Sequence, residues 1–142
     1  NGKLIVKSGK KEYNQVKADS WTVADGKKAM QDRLASYGAG ECPDMVLAAV
    51  DNQAQGVIEA LEEAGITVMP VITGQDNTEM AQTNIKNGKQ TMTIDKSLKD
   101  MAYNTAMIIN SLISNSPVHA SQTVSNIPVF YSKITVMTQD SY

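Results

Sequence analysis

The sequence predicts an α/β domain, a doubly wound and mostly parallel sheet with helices on both faces. Three observations carry the prediction. The runs MVLAAV (Met45 to Val50) and ITVMPVI (Ile66 to Ile72) are almost continuously apolar, as strands are when helices cover both sheet faces. Between them, Gln53 to Ala64 carries Ala54, Val57, Ile58 and Leu61 at helical spacing, with Glu59, Glu62 and Glu63 turned away and Gly65 placed to end the helix. A strand–helix–strand unit of this length crosses over right-handed, which makes its two strands parallel.

The remaining elements follow from the same patterns. Leu4 to Val6 reads as a short strand, and SGKKEYNQVKADSW is a polar passage that carries the only tryptophan, Trp21. From Val23, the residues Ala29, Met30 and Leu34 share one helical face, with Gly38 as a stop. Pro70 lacks a ladder donor, so the second apolar run lies near an edge or starts late. Asn77 to Asn87 is a helix with Met80, Ala81, Asn84 and Ile85 near one stripe, ended by Gly88. The β-branched run QTMTI (Gln90 to Ile94) is a strand. Asp95 to Ile113 is a long amphipathic helix whose apolar positions include Leu98, Met101, Ala102, Ala106, Met107, Ile109 and Leu112. A Ser/Asn-rich connection, Asn115 to Asn126, leads to a last strand-like passage, IPVFYSKITV.

Composition bounds the function. With 142 residues, 42% of them hydrophobic, the chain fits one domain with a real core. A net charge of −2 gives no basic field for nucleic acid. No run of 18 apolar residues occurs, and the opening NGKLIVKSGKK has no hydrophobic signal region, which a mature protein would also lack. The single cysteine, Cys42, excludes an internal disulfide and an all-cysteine metal site, and reads as an incidental thiol. The single histidine, His119, lies in SNSPVHASQ with no local carboxylate to orient it for nucleophilic catalysis. A P-loop, a dinucleotide fingerprint and an HExxH motif are all absent. No catalytic residue, metal or cofactor is expected.

The informative polar residues are Asp51 and Asp76, each just past the C-terminal end of a strand. In parallel α/β sheets the ligand crevice lies at those ends, so both read as acceptors aimed into one cleft. Each has a structural alternative, as the N-cap of the helix that follows. The eight methionines sit mostly at helical core spacing and read as packing.

These residues carry a resemblance. VLAAVDNQAQGVIEALEEAGI, then VITGQD, then IKNGKQTMTIDKSLKDMAYNTAMIINSLI resembles the C-terminal half of the periplasmic sugar-binding proteins of the ribose/galactose/xylose type, that is, type I periplasmic binding proteins. GQD followed by GKQTMT is most similar to the xylose-binding branch. The resemblance spans roughly Asp19 to Val136, and the joint occurrence of its three motifs is more specific than the strand–helix–strand pattern alone.

The resemblance implies two α/β lobes joined by a three-strand hinge and closing on one monosaccharide. Residues 1–94 would be part of the C-terminal lobe, 95–126 a helix and connection returning to the N-terminal lobe, and 127–142 the last hinge crossing and C-terminal strand. The chain would then supply one wall of the site, with an N-terminal lobe as its necessary partner. By the same resemblance, Asp51 and Asp76 match sugar-contacting aspartates, Trp21 lies where a D-Q-W segment approaches the cleft, and Lys96 aligns with the lysine of a Y-K-P hinge segment. Gln75 reads as loop support.

Three departures touch this set, one of them a shorter insertion after the tryptophan. Val50 stands where the family has asparagine, with Asn52 following instead, so a direct hydrogen bond is lost or moved to Asn52. The hinge triplet is Asp95-Lys96-Ser97, without the proline.

The chemistry suits a sugar. A carboxylate accepts from two neighbouring hydroxyls at once, and a misplaced hydroxyl leaves a buried acceptor unpaired at about 1–3 kcal/mol. Trp21 offers a flat apolar face for the ring. The expected role is the solute-binding component of an ABC-type importer of xylose or a related aldose, exported to the periplasm or lipid-anchored outside the cytoplasmic membrane, with a membrane permease as partner. A sensing subunit that signals to a membrane histidine kinase or chemoreceptor is the first alternative. The effector domain of a sugar-responsive repressor is the second. Glycoside hydrolysis by the paired aspartates is disfavoured, since the family that the chain resembles binds without reaction.

Overall fold

The computed structural model describes residues 5–142. In chain order the elements are α1 (Tyr13–Val16), α2 (Val23–Leu34), β1 (Met45–Val46), α3 (Asp51–Glu63), β2 (Val71–Ile72), α4 (Glu79–Lys86), β3 (Thr93–Lys96), α5 (Leu98–Ile113), β4 (Gln122–Val124), β5 (Ile127–Val129), β6 (Ile134–Met137) and a terminal 3₁₀ turn, Gln139–Ser141. They divide into two compact units. One runs through Ile94 and takes in Val136–Tyr142; the other is Asp95–Thr135. β3 and β6 pair as a two-stranded sheet, and each strand begins in one unit and ends in the other.

The first unit is built on the predicted strand–helix–strand motif. β1 and β2 are parallel, with Met45 opposite Val71 and Val46 opposite Ile72. Pro70 immediately precedes β2, so the ladder begins one residue after the missing donor, as a late start requires. The chain then returns along the other side of β2. Thr91 donates its N–H to the Ile72 carbonyl at 3.0 Å, and Ile94 donates to the Gly74 carbonyl at 3.2 Å.

α3 is the buried helix of this unit. Ala54, Val57, Ile58, Ala60 and Leu61 join Met30, Ala48, Ile66 and Ile72 in one apolar cluster. The glutamates stay outside, where Lys27 pairs with Glu63 at 2.6 Å and Lys89 with Glu62 at 2.6 Å. The helix ends as its sequence predicts. Gly65 takes φ +75°, its N–H bonds the Glu62 carbonyl, and the Ile66 N–H bonds the Leu61 carbonyl.

α2 lies against α3 at unusually close range through a pair of glycines. A Cβ at Gly26 would stand 2.5 Å from the Gln53 carbonyl oxygen, and one at Gly56 would run into the Val23 carbonyl and the Lys27 N–H. Only hydrogen at both positions lets the two backbones approach this closely.

The second unit contains α5 and the β4–β5 hairpin. No residue of α5 is buried, and the apolar positions predicted for its stripe are largely exposed, Leu98 at 76% and Leu112 at 67%. The hairpin pairs Gln122 with Val129 and Val124 with Ile127, leaving a two-residue turn. Ser125 and Asn126 both have positive φ, 49° and 64°, as a type I′ turn demands.

Several boundaries differ from the sequence-based expectations. Ile5 and Val6 are not in a strand, and Leu4 lies outside the described residues. The passage IPVFYSKITV is two short strands, β5 and β6, rather than one. The long helix starts at Leu98 instead of Asp95, because the Ser97 hydroxyl accepts the Asp100 N–H and caps it there.

Candidate functional site

The loops that follow β1 and β2 and the loop that precedes α2 come together around the first turn of α3. Gln53 makes one of these links: its Nε2 donates to the Ser20 carbonyl at 2.8 Å, and its Oε1 accepts the Ala49 N–H at 3.3 Å. The loop bearing Trp21 is thereby tied to the loop between β1 and α3. Trp21 itself is 64% exposed.

Asp51 makes the other link, and here an expectation is revised. Sequence reasoning aimed its carboxylate into a crevice, or alternatively made it the cap of α3. The structure turns it inward, with 1% of its surface exposed. Val50 is the N-cap residue of α3. The Asp51 carboxylate instead accepts from three residues of two other segments. The Thr93 hydroxyl donates to Oδ1 at 2.7 Å and the Gln90 Nε2 at 3.1 Å, while the Thr78 N–H donates to Oδ2 at 2.9 Å. The Thr78 hydroxyl also reaches Oδ2, at 3.3 Å, and accepts the Ala81 N–H as the cap of α4. The Asp51 N–H, in turn, donates to the Gln75 carbonyl at 3.0 Å. A buried carboxylate surrounded by donors is the arrangement that makes burial of such a group tolerable.

Gly74 leaves the room this cluster needs, since a Cβ there would collide with Asp51 Oδ1 and Gln90 Nε2. That is the physical content of the glycine in the G-Q-D motif. Gln75 contributes its backbone carbonyl, which accepts the Asp51 N–H.

The same loop holds Asp76 and Asn77 in an uncommon backbone. Their φ values are +103° and +53°. Asp76 is exposed, and its N–H donates to the Ile94 carbonyl at 2.9 Å; Asn77 donates its N–H to the Thr93 hydroxyl at 3.3 Å. Tyr142 reaches the same turn, its hydroxyl donating to Asn77 Oδ1, with the Lys86 ammonium 5.1 Å from its ring centre. Two successive non-glycine residues at positive φ persist only where surrounding bonds over-determine them. Asp76 does not cap α4, because Thr78 does.

The other expected residues fall as follows. Asn52 is exposed on the first turn of α3, beside the buried Asp51. Lys96 is half-buried on β3, in the second unit. Sequence reasoning missed Thr78, Gln90 and Thr93, although QTMT supplied two of the three, because a Thr or Gln in a strand reads as propensity until its partner is known. Burial first, then the charge of Asp44, pushes the Cys42 thiol up, away from the nucleophilic thiolate. Among the described residues, no group of three or more His, Cys, Asp or Glu could hold a metal ion.

Residues 3–117 match the family described as the periplasmic binding protein domain. The chain belongs to that family. Within it, the chain is 29% identical over 127 residues to the multiple sugar-binding periplasmic receptor ChvE of Rhizobium radiobacter, covering 87% of this chain and 36% of the receptor. It is 32% identical over 123 residues to the D-xylose-binding periplasmic protein of Haemophilus influenzae, covering 86% of this chain and 36% of that protein. The chain thus spans little more than a third of the length of these relatives. Among solved structures, an ABC transporter solute-binding protein from Clostridium phytofermentans with bound β-D-glucose superposes with a TM-score of 0.83 at 28% identity, over 97% of this chain and 45% of that one. A second, from Actinobacillus succinogenes with bound D-allose, has a TM-score of 0.71 at 21% identity and shows the fold alone. The α/β class read from the sequence is therefore that of the periplasmic binding proteins.

Proposed function

We propose that this chain forms one wall of a monosaccharide site in a two-lobed solute-binding protein, an exported component of an ABC-type sugar importer that binds without reaction. The observation that carries the reading is the turn Gln75-Asp76-Asn77, an exposed carboxylate on a strained backbone clamped from below by buried Asp51. A carboxylate fixed in this way makes stereospecific bonds to vicinal hydroxyls at small entropic cost.

In this reading Asp76 is the sugar acceptor, Asn52 supplies a second polar contact in place of the family's asparagine, and Trp21 covers the ring. Asp51 acts through Asp76 and is a positioning residue. Lys96 belongs to a hinge strand, where it neutralises a nearby carboxylate. Residues 1–94 belong to the C-terminal lobe, 95–126 return to the N-terminal lobe, and 127–142 make the final crossing. The N-terminal lobe supplies the opposite wall, and a membrane permease receives the loaded protein. Identity of 29 to 32% with sugar receptors, one of them a xylose binder, supports an aldose such as xylose as the ligand.

Trp21 is the only tryptophan of these 142 residues and is largely exposed, so the emission lost in a Trp21→Phe variant of the complete protein isolates its report of closure. In the complete two-lobed protein, D-xylose should shift that emission to the blue and bind with calorimetrically measurable affinity. The 142-residue chain alone should bind at least about a hundredfold more weakly, a loss of about 2.7 kcal/mol, because one wall cannot exclude water. Equal affinity in both would show that one lobe suffices and would remove the clamp from this reading.

A further inference from the structure

The strained turn at Asp76 and Asn77 is held through main chain and side chain alike. The Asp76 N–H donates to the Ile94 carbonyl at 2.9 Å, the Asn77 N–H to the Thr93 hydroxyl at 3.3 Å, and the Asn77 carbonyl accepts from Gln82 Nε2 at 3.1 Å. These bonds grip the main chain. The side chain is gripped from 65 positions away, where the Tyr142 hydroxyl donates to Asn77 Oδ1.

Tyr142 is itself placed by the passage that follows β6, and all of these residues belong to the first unit. The Thr138 N–H donates to Ser141 Oγ at 3.0 Å and the Ser141 N–H to the Thr138 carbonyl at 2.9 Å, which closes the 3₁₀ turn Gln139–Ser141. Gln139 Nε2 then donates to the Lys86 carbonyl at 3.3 Å, and the Lys86 ammonium stands 5.1 Å from the centre of the Tyr142 ring. Lys86 is the last residue of α4, and Asn77 lies just ahead of its cap, Thr78. The tyrosine is thus attached at both ends of one helix.

A residue with a Cβ held at positive φ gives up a lower-energy backbone at negative φ. Rotating Asn77 back to negative φ would swing its Cβ, and Oδ1 with it, away from the Tyr142 hydroxyl. The bond therefore favours the backbone that the turn adopts. Asp51 fixes the strand ends beneath the turn, but its carboxylate is bonded to Thr78, Gln90 and Thr93. Tyr142 adds a hold on the Asn77 side chain. A tyrosine suits the task, because Lys86 covers the face of its ring while the polar tip reaches the turn.

We propose that Tyr142 is a positioning residue of the sugar site: its hydroxyl locks Asn77 and so holds the backbone that presents the Asp76 carboxylate. The inference rests on the reading of Asp76 as the sugar acceptor, and it adds that the geometry of this acceptor is set in part from the passage after β6. Phenylalanine at this position would keep the ring and its contact with Lys86 and lose only the lock.

The test is Tyr142→Phe in the complete two-lobed protein, read in two ways. Without sugar, the amide-to-Hα cross-peaks within Asp76 and Asn77, which are strong only at positive φ, should weaken in the variant while the melting temperature stays within about 2 °C of the parent. With D-xylose, the calorimetric affinity should fall about tenfold, the scale of one hydrogen bond. In an Asn77→Gly background the hydroxyl has no partner and glycine takes the left-handed backbone unaided, so there Tyr142→Phe should change affinity by less than about twofold. Unchanged cross-peaks would overturn the proposal. Intact xylose affinity would overturn it too, with a lowered melting temperature marking a tyrosine that merely anchors the chain, and so would an equal loss of affinity with and without Asn77. Failure of the parent to bind D-xylose overturns the sugar reading alone, because the cross-peaks of the sugar-free protein still decide whether Tyr142 locks the turn.

Discussion

Asp51 and Thr93 lie 42 positions apart and meet in the interior, where the Thr93 hydroxyl donates to Asp51 Oδ1 at 2.7 Å. This bond ties the start of α3 to the head of β3. Because Thr78 occupies the other carboxylate oxygen, one side chain fixes three segments at the C-terminal ends of the strands. The geometry of the exposed turn at Asp76 is therefore set from below by a residue that does not reach the surface.

Asp51→Ala should destabilise the chain by about 3 kcal/mol, since the Thr93 hydroxyl, the Gln90 amide and the Thr78 N–H would all lose a buried acceptor. Asp51→Asn should cost less, because it keeps the shape and one acceptor. Urea unfolding monitored by circular dichroism measures both. An alanine variant within 0.5 kcal/mol of the parent would mean that water replaces the carboxylate and that the clamp is not structural.

The features legible in the sequence were those with a repeating signal. Apolar continuity located the runs around β1 and β2, period-3.6 spacing located α3, and Gly65 and Gly88 marked two helix ends. The importance of Asp51 was legible too, from its place after a strand. The direction of its side chain was not, because that depends on Gln90 and Thr93, some 40 residues away, and no local pattern encodes such a meeting. The β4–β5 hairpin was hidden for a different reason. Its turn uses Ser125-Asn126 instead of the Asn-Gly pair that signals a type I′ turn, so the segment read as a polar connection. The exposed stripe of α5 shows that amphipathic spacing reports a face suited to burial without reporting what covers it.

The glycine contact between α2 and α3 predicts a second, independent sensitivity. Gly56→Ala places a methyl group against the backbone at Val23 and Lys27, where no flexible side chain can yield. Overpacking of this kind costs about 1–3 kcal/mol, against a gain in helix propensity of under about 1 kcal/mol. Thermal unfolding should show a net loss in melting temperature. An unchanged or higher value would mean that the helices separate freely and that the glycine pair is not a packing requirement.

Acid should act on the loop that carries Trp21. Hydrogen bonds from Ser20, then from Thr22, hold the Asp25 carboxyl below its ordinary value of 3.8. A depressed folded-state pKa contributes stability that is present above the unfolded value and is lost as the pH falls through the folded one. Stability from this group is thus complete above pH 3.8 and declines below it. Asp25→Asn should be less stable than the parent at pH 6, and the gap should close as the pH drops below 3.8. A gap of constant size across that range, measured by melting temperature in a pH series, would show that protonation of Asp25 plays no part.

The backbone at Asp76 separates stability from recognition. At φ +103° a residue with a Cβ is strained by about 1–3 kcal/mol, and glycine accepts the same backbone without that cost. Asp76→Gly should therefore leave the chain as stable as before or raise its stability by up to about 1 kcal/mol, the entropic cost of ordering glycine offsetting part of the relief. In the complete protein the same substitution removes the proposed sugar acceptor, and D-xylose affinity should fall by about 2–4 kcal/mol. Denaturant unfolding of the chain and calorimetric titration of the complete protein read the two effects independently. If Asp76→Gly binds xylose as tightly as the parent, the strained aspartate serves the loop alone, and the acceptor must be sought at Asn52 or on the opposite lobe.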